Sequence, residues 1–214
     1  MDKLLETIFC TRVVAIVRGL DSSYARLAQA LYDGGIRAIE VTFNQKQPDS
    51  FAQTAAAIEE IRTTMGNAMY VGAGTVTSVE LVHLAHRAGA TFIVSPDTNP
   101  DVIRCTKALG MCSMPGAMTP SEIMTAYHTG ADFVKVFPAG VLGADYIRAI
   151  RAPLNQIPLL AVGGISETNA AEFIQAGCAG IGVGGNLVNK RWIADGEWDR
   201  LTASARTLCS SVQQ

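Results

Sequence analysis

No run of about 18 apolar residues occurs in this 214-residue sequence, so nothing in it reads as a membrane-spanning helix. Charged residues make up only 17% of the chain and the net charge is -2, which leaves neither a basic face for nucleic acid nor a strong acidic field. The five cysteines, Cys10, Cys105, Cys112, Cys178 and Cys209, are scattered, odd in number and without CxxC or Cys/His spacing. That pattern excludes a legible disulfide frame or zinc site and leaves them as small buried residues or free thiols. The opening Met1-Asp2-Lys3-Leu4-Leu5-Glu6 is acidic where a signal peptide wants a basic and then an apolar stretch, so a soluble cytoplasmic protein is expected. Ser/Pro-rich tracts, charge runs and low-complexity segments are missing as well, which argues for one domain over residues 1–214.

What is present is apolar and regularly punctuated: 49% of residues are hydrophobic, and they fall into short runs ended by Gly or Pro. Strands are expected at Val13 to Arg18, Ala38 to Phe43, Tyr70 to Thr75, Phe92 to Pro96, Met111 to Pro115, Phe133 to Pro138, Leu159 to Gly163 and Gly180 to Gly184. Amphipathic segments between them, such as Asp49 to Met65, Ser78 to Ala88, Pro120 to Thr129 and Glu167 to Gln175, read as helices, several closed by Gly89, Gly130 or Gly177. Asp21 or Ser22 is a candidate N-cap for a helix through Leu27 and Leu31, Asp2 to Phe9 reads as a short helix on one end of the fold, and a C-terminal helical segment is expected. About eight strand-helix units point to parallel pairing with right-handed crossovers. A doubly wound sheet commonly has five or six strands, so the count favours a closed (β/α)8 TIM barrel of the α/β class.

Phe133-Val134-Lys135-Val136-Phe137-Pro138 is the stretch that carries chemistry. Alternation along a strand places Phe133, Lys135 and Phe137 on one face, so Lys135 projects inward among aromatic rings. A buried ammonium escapes its desolvation cost by losing a proton, and the neutral amine attacks carbonyls. A lysine snorkelling to solvent from a strand end fits the same stretch. Glu40, in Ala38-Ile39-Glu40-Val41-Thr42-Phe43, is a second ionisable residue in an apolar strand. It reads either as the partner of Lys135 in a buried salt bridge or as the proton carrier that imine chemistry needs.

Barrel chemistry sits at the C-terminal strand ends. Those ends offer Arg18 on the first strand, Glu40, Thr42 and Asn44 on the second, Thr75 on the third and Lys135 on the sixth. The last two strands end in the pairs Gly163-Gly164 and Gly184-Gly185, where backbone amides can approach an anion. His83, His86 and His128 do not converge by spacing and are expected at the surface or in packing, as are Trp192 and Trp198.

In order along the chain, Val13-Val14-Ala15-Ile16-Val17-Arg18-Gly19, Ile39-Glu40-Val41-Thr42, Val71-Gly72-Ala73-Gly74-Thr75-Val76, Phe92-Ile93-Val94-Ser95-Pro96, Met114-Pro115-Gly116, Phe133-Val134-Lys135-Val136-Phe137-Pro138 and Val162-Gly163-Gly164-Ile165 resemble the 2-keto-3-deoxy-6-phosphogluconate / 4-hydroxy-2-oxoglutarate aldolase family. The resemblance implies a homotrimeric class I aldolase with no metal and no cofactor, acting on a small keto acid and releasing pyruvate and an aldehyde. It implies Lys135 as the Schiff-base lysine and Glu40 as the proton-transferring carboxylate. Thr75 falls where the pyruvyl carboxylate is held, and Pro96 and Phe137 match positions lining the pyruvyl pocket. Arg18 is similar to the first-strand arginine of many members, and Gly163, Gly164, Gly184 and Gly185 fall where the phosphate end binds.

Three positions depart from the family pattern. Asn44 stands where some members carry Arg, Val162 resembles the galactonate-type relatives more than the Thr of phosphogluconate aldolases, and Gly185 replaces a Ser that contacts phosphate. Two rival readings stay open: a phosphosugar isomerase or epimerase in which Lys135 pairs with an anion, and a barrel that binds a keto acid without turning it over.

Overall fold

The computed structural model describes residues 3–20 and 23–213; the candidate caps Asp21 and Ser22, and Asp2 of the expected first helix, lie outside the described residues. The strands are β1 (Val13–Val17), β2 (Ala38–Thr42), β3 (Tyr70–Gly74), β4 (Phe92–Val94), β5 (Cys112–Met114), β6 (Gly116–Ala117), β7 (Val134–Val136), β8 (Leu159–Val162) and β9 (Gly180–Val183). All pair in parallel, in the order β5-β4-β3-β2-β1-β9-β8-β7-β6. The two ends of that order are one stave. β5 and β6 are separated only by Pro115, which has no N–H to give to a ladder. Its carbonyl accepts the Lys135 N–H at 2.9 Å and carries pairing across to β7. Eight staves thus close a (β/α)8 barrel, and the ninth strand is a consequence of one proline.

Alternation divides the apolar residues into two cores. Val14 and Ile16 of β1 join Phe92, Met114, Phe133, Leu160 and Val162 inside the barrel, while Val13, Ala15 and Val17 face the surrounding helices. The helix α1 (Lys3–Thr11) sends Leu4 and Ile8 into the interior cluster and sets Phe9 against Phe133, ring centroids 5.1 Å apart. It closes the end of the barrel away from the C-terminal strand ends.

The crossover helices have local reasons to start and stop. α4 (Val79–Arg87) is capped by the Ser78 hydroxyl, which accepts the Leu81 N–H. α6 (Pro120–Thr129) opens with a reciprocal cap between Thr119 and Glu122 and a proline in its first turn, and it ends on Gly130 at φ 107. α2 (Tyr24–Asp33) and α3 (Phe51–Met65) cover β1 to β3, and a 3-10 turn at Pro48–Ser50 delays the start of α3. α5 (Pro100–Ala108) and α8 (Ala144–Arg151), which hydrophobic periodicity did not single out, bury only a narrow stripe: Val102, Ile103 and Thr106 in α5, Ile147 and Ile150 in α8. α7 (Ala139–Leu142) is a single turn, and α9 (Ala170–Gln175) begins later than Glu167 because Asn169 folds back onto the Ser166 N–H. The C-terminal segment is α10 (Lys190–Ala194) and α11 (Trp198–Ser211), the latter packed on α2. Among the described residues no helix is long and apolar enough to cross a membrane.

Candidate active site

The C-terminal strand ends surround a cavity of about 690 Å³. Lys135 on β7 pairs in register with Leu160, and Glu40 on β2 with Ile16; both partners belong to the interior core, so both ionisable side chains point inward. Lys135 is 8% exposed and Glu40 is 3% exposed. Among the described residues no direct ion pair joins them, and the salt bridges that do form involve neither residue. The buried salt bridge is therefore not the arrangement found.

Burial sets the protonation of both groups. It pushes the Lys135 ammonium below the ordinary lysine range; the Glu40 carboxylate opposes this and the Arg18 guanidinium adds to it. Burial also raises Glu40 above the ordinary carboxylate range, against the pull of Lys135 and Arg18. Each shift favours the uncharged form, an amine with a free lone pair beside a carboxylic acid with a proton to give.

The aromatic surroundings differ from those expected of the strand pattern. Phe133 lies deeper in the barrel against Phe9, and only Phe137 approaches the amine, with Nζ 5.0 Å from its ring centroid. Phe137 is 41% exposed, because the chain leaves the sheet at Val136 and the ring becomes part of the cavity rim.

Glu40 is seated by a glycine on the next strand. A Cβ on Gly74 would come within 2.2 Å of Oε1 of Glu40, so the carboxyl rests on bare backbone. Thr75 follows at φ 57, a left-handed conformation that costs a β-branched residue about 1–3 kcal/mol. It is held there from both sides: its carbonyl accepts Gln45 Nε2 at 2.9 Å, and the next N–H, on Val76, donates to Val94 at 3.2 Å.

Arg18, Glu40, Thr75, Pro96, Lys135, Phe137, Val162, Gly163, Gly164, Gly184 and Gly185 all line this cavity. Two candidates do not. Thr42 is buried with its hydroxyl unpartnered among the described residues, and with Asn44 it lines an adjoining cavity of about 510 Å³. Asn44 was expected on the face of Glu40, but alternation ends with β2 at Thr42. Its side chain instead donates to Gln47 at 3.0 Å and accepts the Lys46 N–H at 3.1 Å within its own turn.

The glycine pairs differ from each other. Gly163 and Gly164 are left-handed, at φ 91 and 76, and the Gly163 carbonyl accepts the Gly140 N–H at 2.7 Å, which fixes β8 to the turn after Phe137. The Gly184 carbonyl accepts the N–H groups of both Leu187 and Val188 at 2.8 Å, and a Cβ on Gly185 would meet nothing within 4 Å. The residues that sequence reasoning passed over, Asn186, Val188, Asn189, Lys190 and Arg191 among them, lie just beyond this second pair. The adjacent cations were the available signal. Among the described residues no three His, Cys, Asp or Glu side chains gather as a metal-binding group.

A (β/α)8 barrel that buries a lysine and a carboxyl at its C-terminal mouth defines the class of protein. The family model of KDPG and KHG aldolase matches residues 5–204, and the chain belongs to that family. It is 38% identical over 178 residues to 2-dehydro-3-deoxy-6-phosphogalactonate aldolase of Escherichia coli K12, covering 82% of this chain and 83% of the relative. It is 36% identical over 207 residues to 2-dehydro-3-deoxy-phosphogluconate aldolase of Treponema pallidum, covering 95% and 94%. Among solved structures, a native KDPGal structure superposes with a TM-score of 0.82 at 34% identity, covering 94% of each chain. KDPG aldolase from Legionella pneumophila, with pyruvate captured as a covalent carbinolamine, superposes with a TM-score of 0.85 at 26% identity, covering 95% and 97%.

Proposed function

We propose that this aldolase-family barrel is a class I enzyme that reversibly cleaves a 2-keto-3-deoxy sugar acid, or a shorter 4-hydroxy-2-oxo acid, to pyruvate and an aldehyde such as glyceraldehyde 3-phosphate or glyoxylate. The observation that carries this reading is the buried Lys135, held below the ordinary lysine range and lining, with Glu40, a substrate-sized cavity. The covalent carbinolamine of pyruvate in the Legionella relative supports the same chemistry.

The neutral Lys135 amine attacks the C2 ketone to form a carbinolamine. Glu40 gives a proton to the C2 hydroxyl, which leaves as water, and an iminium remains. As carboxylate, Glu40 then takes the proton of the C4 hydroxyl, directly or through water. The C4 carbonyl forms, the C3–C4 bond breaks, and its electron pair passes into the iminium to give an enamine. Glu40 returns the proton to C3, and water hydrolyses the iminium to pyruvate and the free amine. Thr75 and Arg18 bind the pyruvyl carboxylate, Pro96 and Phe137 flank the pyruvyl group, and the two glycine pairs with Val162 receive the distal end. Borohydride trapping with pyruvate tests the reading: wild type becomes covalently labelled and Lys135→Ala does not. Labelling that survives in Lys135→Ala removes the assignment, and an isomerase or a pure binding barrel shows no pyruvate-dependent trapping or no turnover of 4-hydroxy-2-oxo acids.

The same reading includes a cytoplasmic C3 trimer. The exposed apolar residues Met118, just after β6, and Val141, on α7, support assembly. A stable monomer or dimer in sedimentation at micromolar concentration counts against it.

A further inference from the structure

We propose that Lys190, the first residue of α10 after the last strand, is the cation that reads a distal anionic group on the substrate, whether a phosphate ester or a carboxylate; this rests on the aldolase reading above. Asn44, just past β2, lines only the adjoining cavity, and its side chain is spent on its own turn.

Lys190 lines the Lys135 cavity together with Gly184, Gly185 and Arg18, and it also lines the adjoining cavity, so it stands at the junction of the two. Its Nζ reaches across the mouth and donates to the Gly19 carbonyl at 2.6 Å, a contact between the start of α10 and the loop after β1, 171 residues apart. Gly19 permits it: a Cβ there would sit 3.2 Å from Nζ. One of the three ammonium protons is thereby used to aim the group and two remain for a ligand. Among the described residues no carboxylate neutralises Lys190, whereas its neighbour Arg191 is engaged with Asp195 at 3.6 Å. Gly185 leaves open space beside it. Lys190 thus presents a positioned charge, unneutralised among the described residues, beside a glycine turn that has room for a ligand. A carboxylate or phosphate oxygen there gains a charge-assisted hydrogen bond that a neutral hydroxymethyl end does not.

The test compares kcat/KM for a 2-keto-3-deoxy sugar acid with and without its terminal phosphate, in wild type, Lys190→Met and Lys190→Arg. Lys190→Met is expected to lower the phosphorylated-to-unphosphorylated ratio by about ten- to hundredfold, and Lys190→Arg to retain most of it. An unchanged ratio overturns the proposal. So does an equal fall for both substrates, because Lys190 would then only clasp the two loops. A binding measurement separates this from the aldolase reading: calorimetry with glycerol 3-phosphate is expected to show about tenfold weaker binding to Lys190→Met. Deuterium exchange at C3 of pyruvate by wild type reports the imine alone. Loss of exchange with the glycerol 3-phosphate difference intact sinks the reaction and keeps the Lys190 site; exchange without that difference does the reverse.

Discussion

Oε1 of Glu40 lies 2.2 Å from where a methyl group on Gly74 would stand, so the buried carboxyl of the second strand is seated on the bare backbone of the third. A side chain at 74 must push the carboxyl away from its place opposite Lys135. Gly74→Ala is expected to lower kcat by about a hundredfold, the range lost when a general acid-base group is misplaced. Borohydride labelling by pyruvate and the melting temperature separate this from unfolding. A variant with wild-type kcat removes the claim that Gly74 positions Glu40.

Lys135 and Glu40 each shift the other's titration, and in the proposed mechanism the working form is the one that shares a single proton between them. Because Lys135 is lowered from 10.5 and Glu40 is raised from 4.5, both limbs of the pH profile of kcat/KM should lie inside those values. The Glu40 charge opposes the lowering of Lys135. Its removal in Glu40→Gln therefore lowers the amine further, and the acid limb of pyruvate trapping moves to lower pH while turnover collapses. An acid limb that moved upward would contradict the coupling.

Gly185 has room for a side chain: an added Cβ meets nothing within 4 Å, and the residue is not among the left-handed glycines. Gly185→Ser should add a hydroxyl donor at the distal end of the substrate without backbone strain. A hydrogen bond to a charged group contributes about 1.5 to 3 kcal/mol, so kcat/KM for the phosphorylated substrate should rise by roughly ten- to hundredfold. The unphosphorylated substrate should change little. If the ratio between the two does not move, the backbone amides already provide the recognition.

Thr75 holds a left-handed φ of 57 that glycine adopts freely. Thr75→Gly removes the strain and the hydroxyl together. Thermal stability is expected not to fall, because the relieved strain offsets the entropy that glycine loses on folding. KM for pyruvate-derived substrates should rise, as the carboxylate loses a partner. A large drop in melting temperature would sink the idea that the conformation is kept for function.

Much of the barrel was readable in the chain itself. Short apolar runs with Gly and Pro at their ends mark strands whatever surrounds them, and the spacing of those runs implies parallel staves. The anomalies Lys135 and Glu40 were legible for the same reason, since a charge in a strand buried on both faces breaks a pattern that is local. Asn44 was misplaced by extending that alternation two residues past Thr42, the last residue of β2, where period two ceases to apply, whereas Phe137, one residue past Val136, still lines the cavity with its ring over the Lys135 amine.

The sequence by itself determined the strand-helix alternation and marked Lys135 and Glu40 as ionisable residues in buried strands, because both follow from local periodicity and the cost of burying charge. Only the tertiary structure decided that Pro115 divides one stave into two, that Gly74 underlies Glu40, and that Lys190 crosses to the Gly19 carbonyl. These are contacts between segments far apart in the chain or between neighbouring strands in one particular register. Closure of the barrel brings its first and last loops together, and no local pattern encodes which side chain then spans the gap.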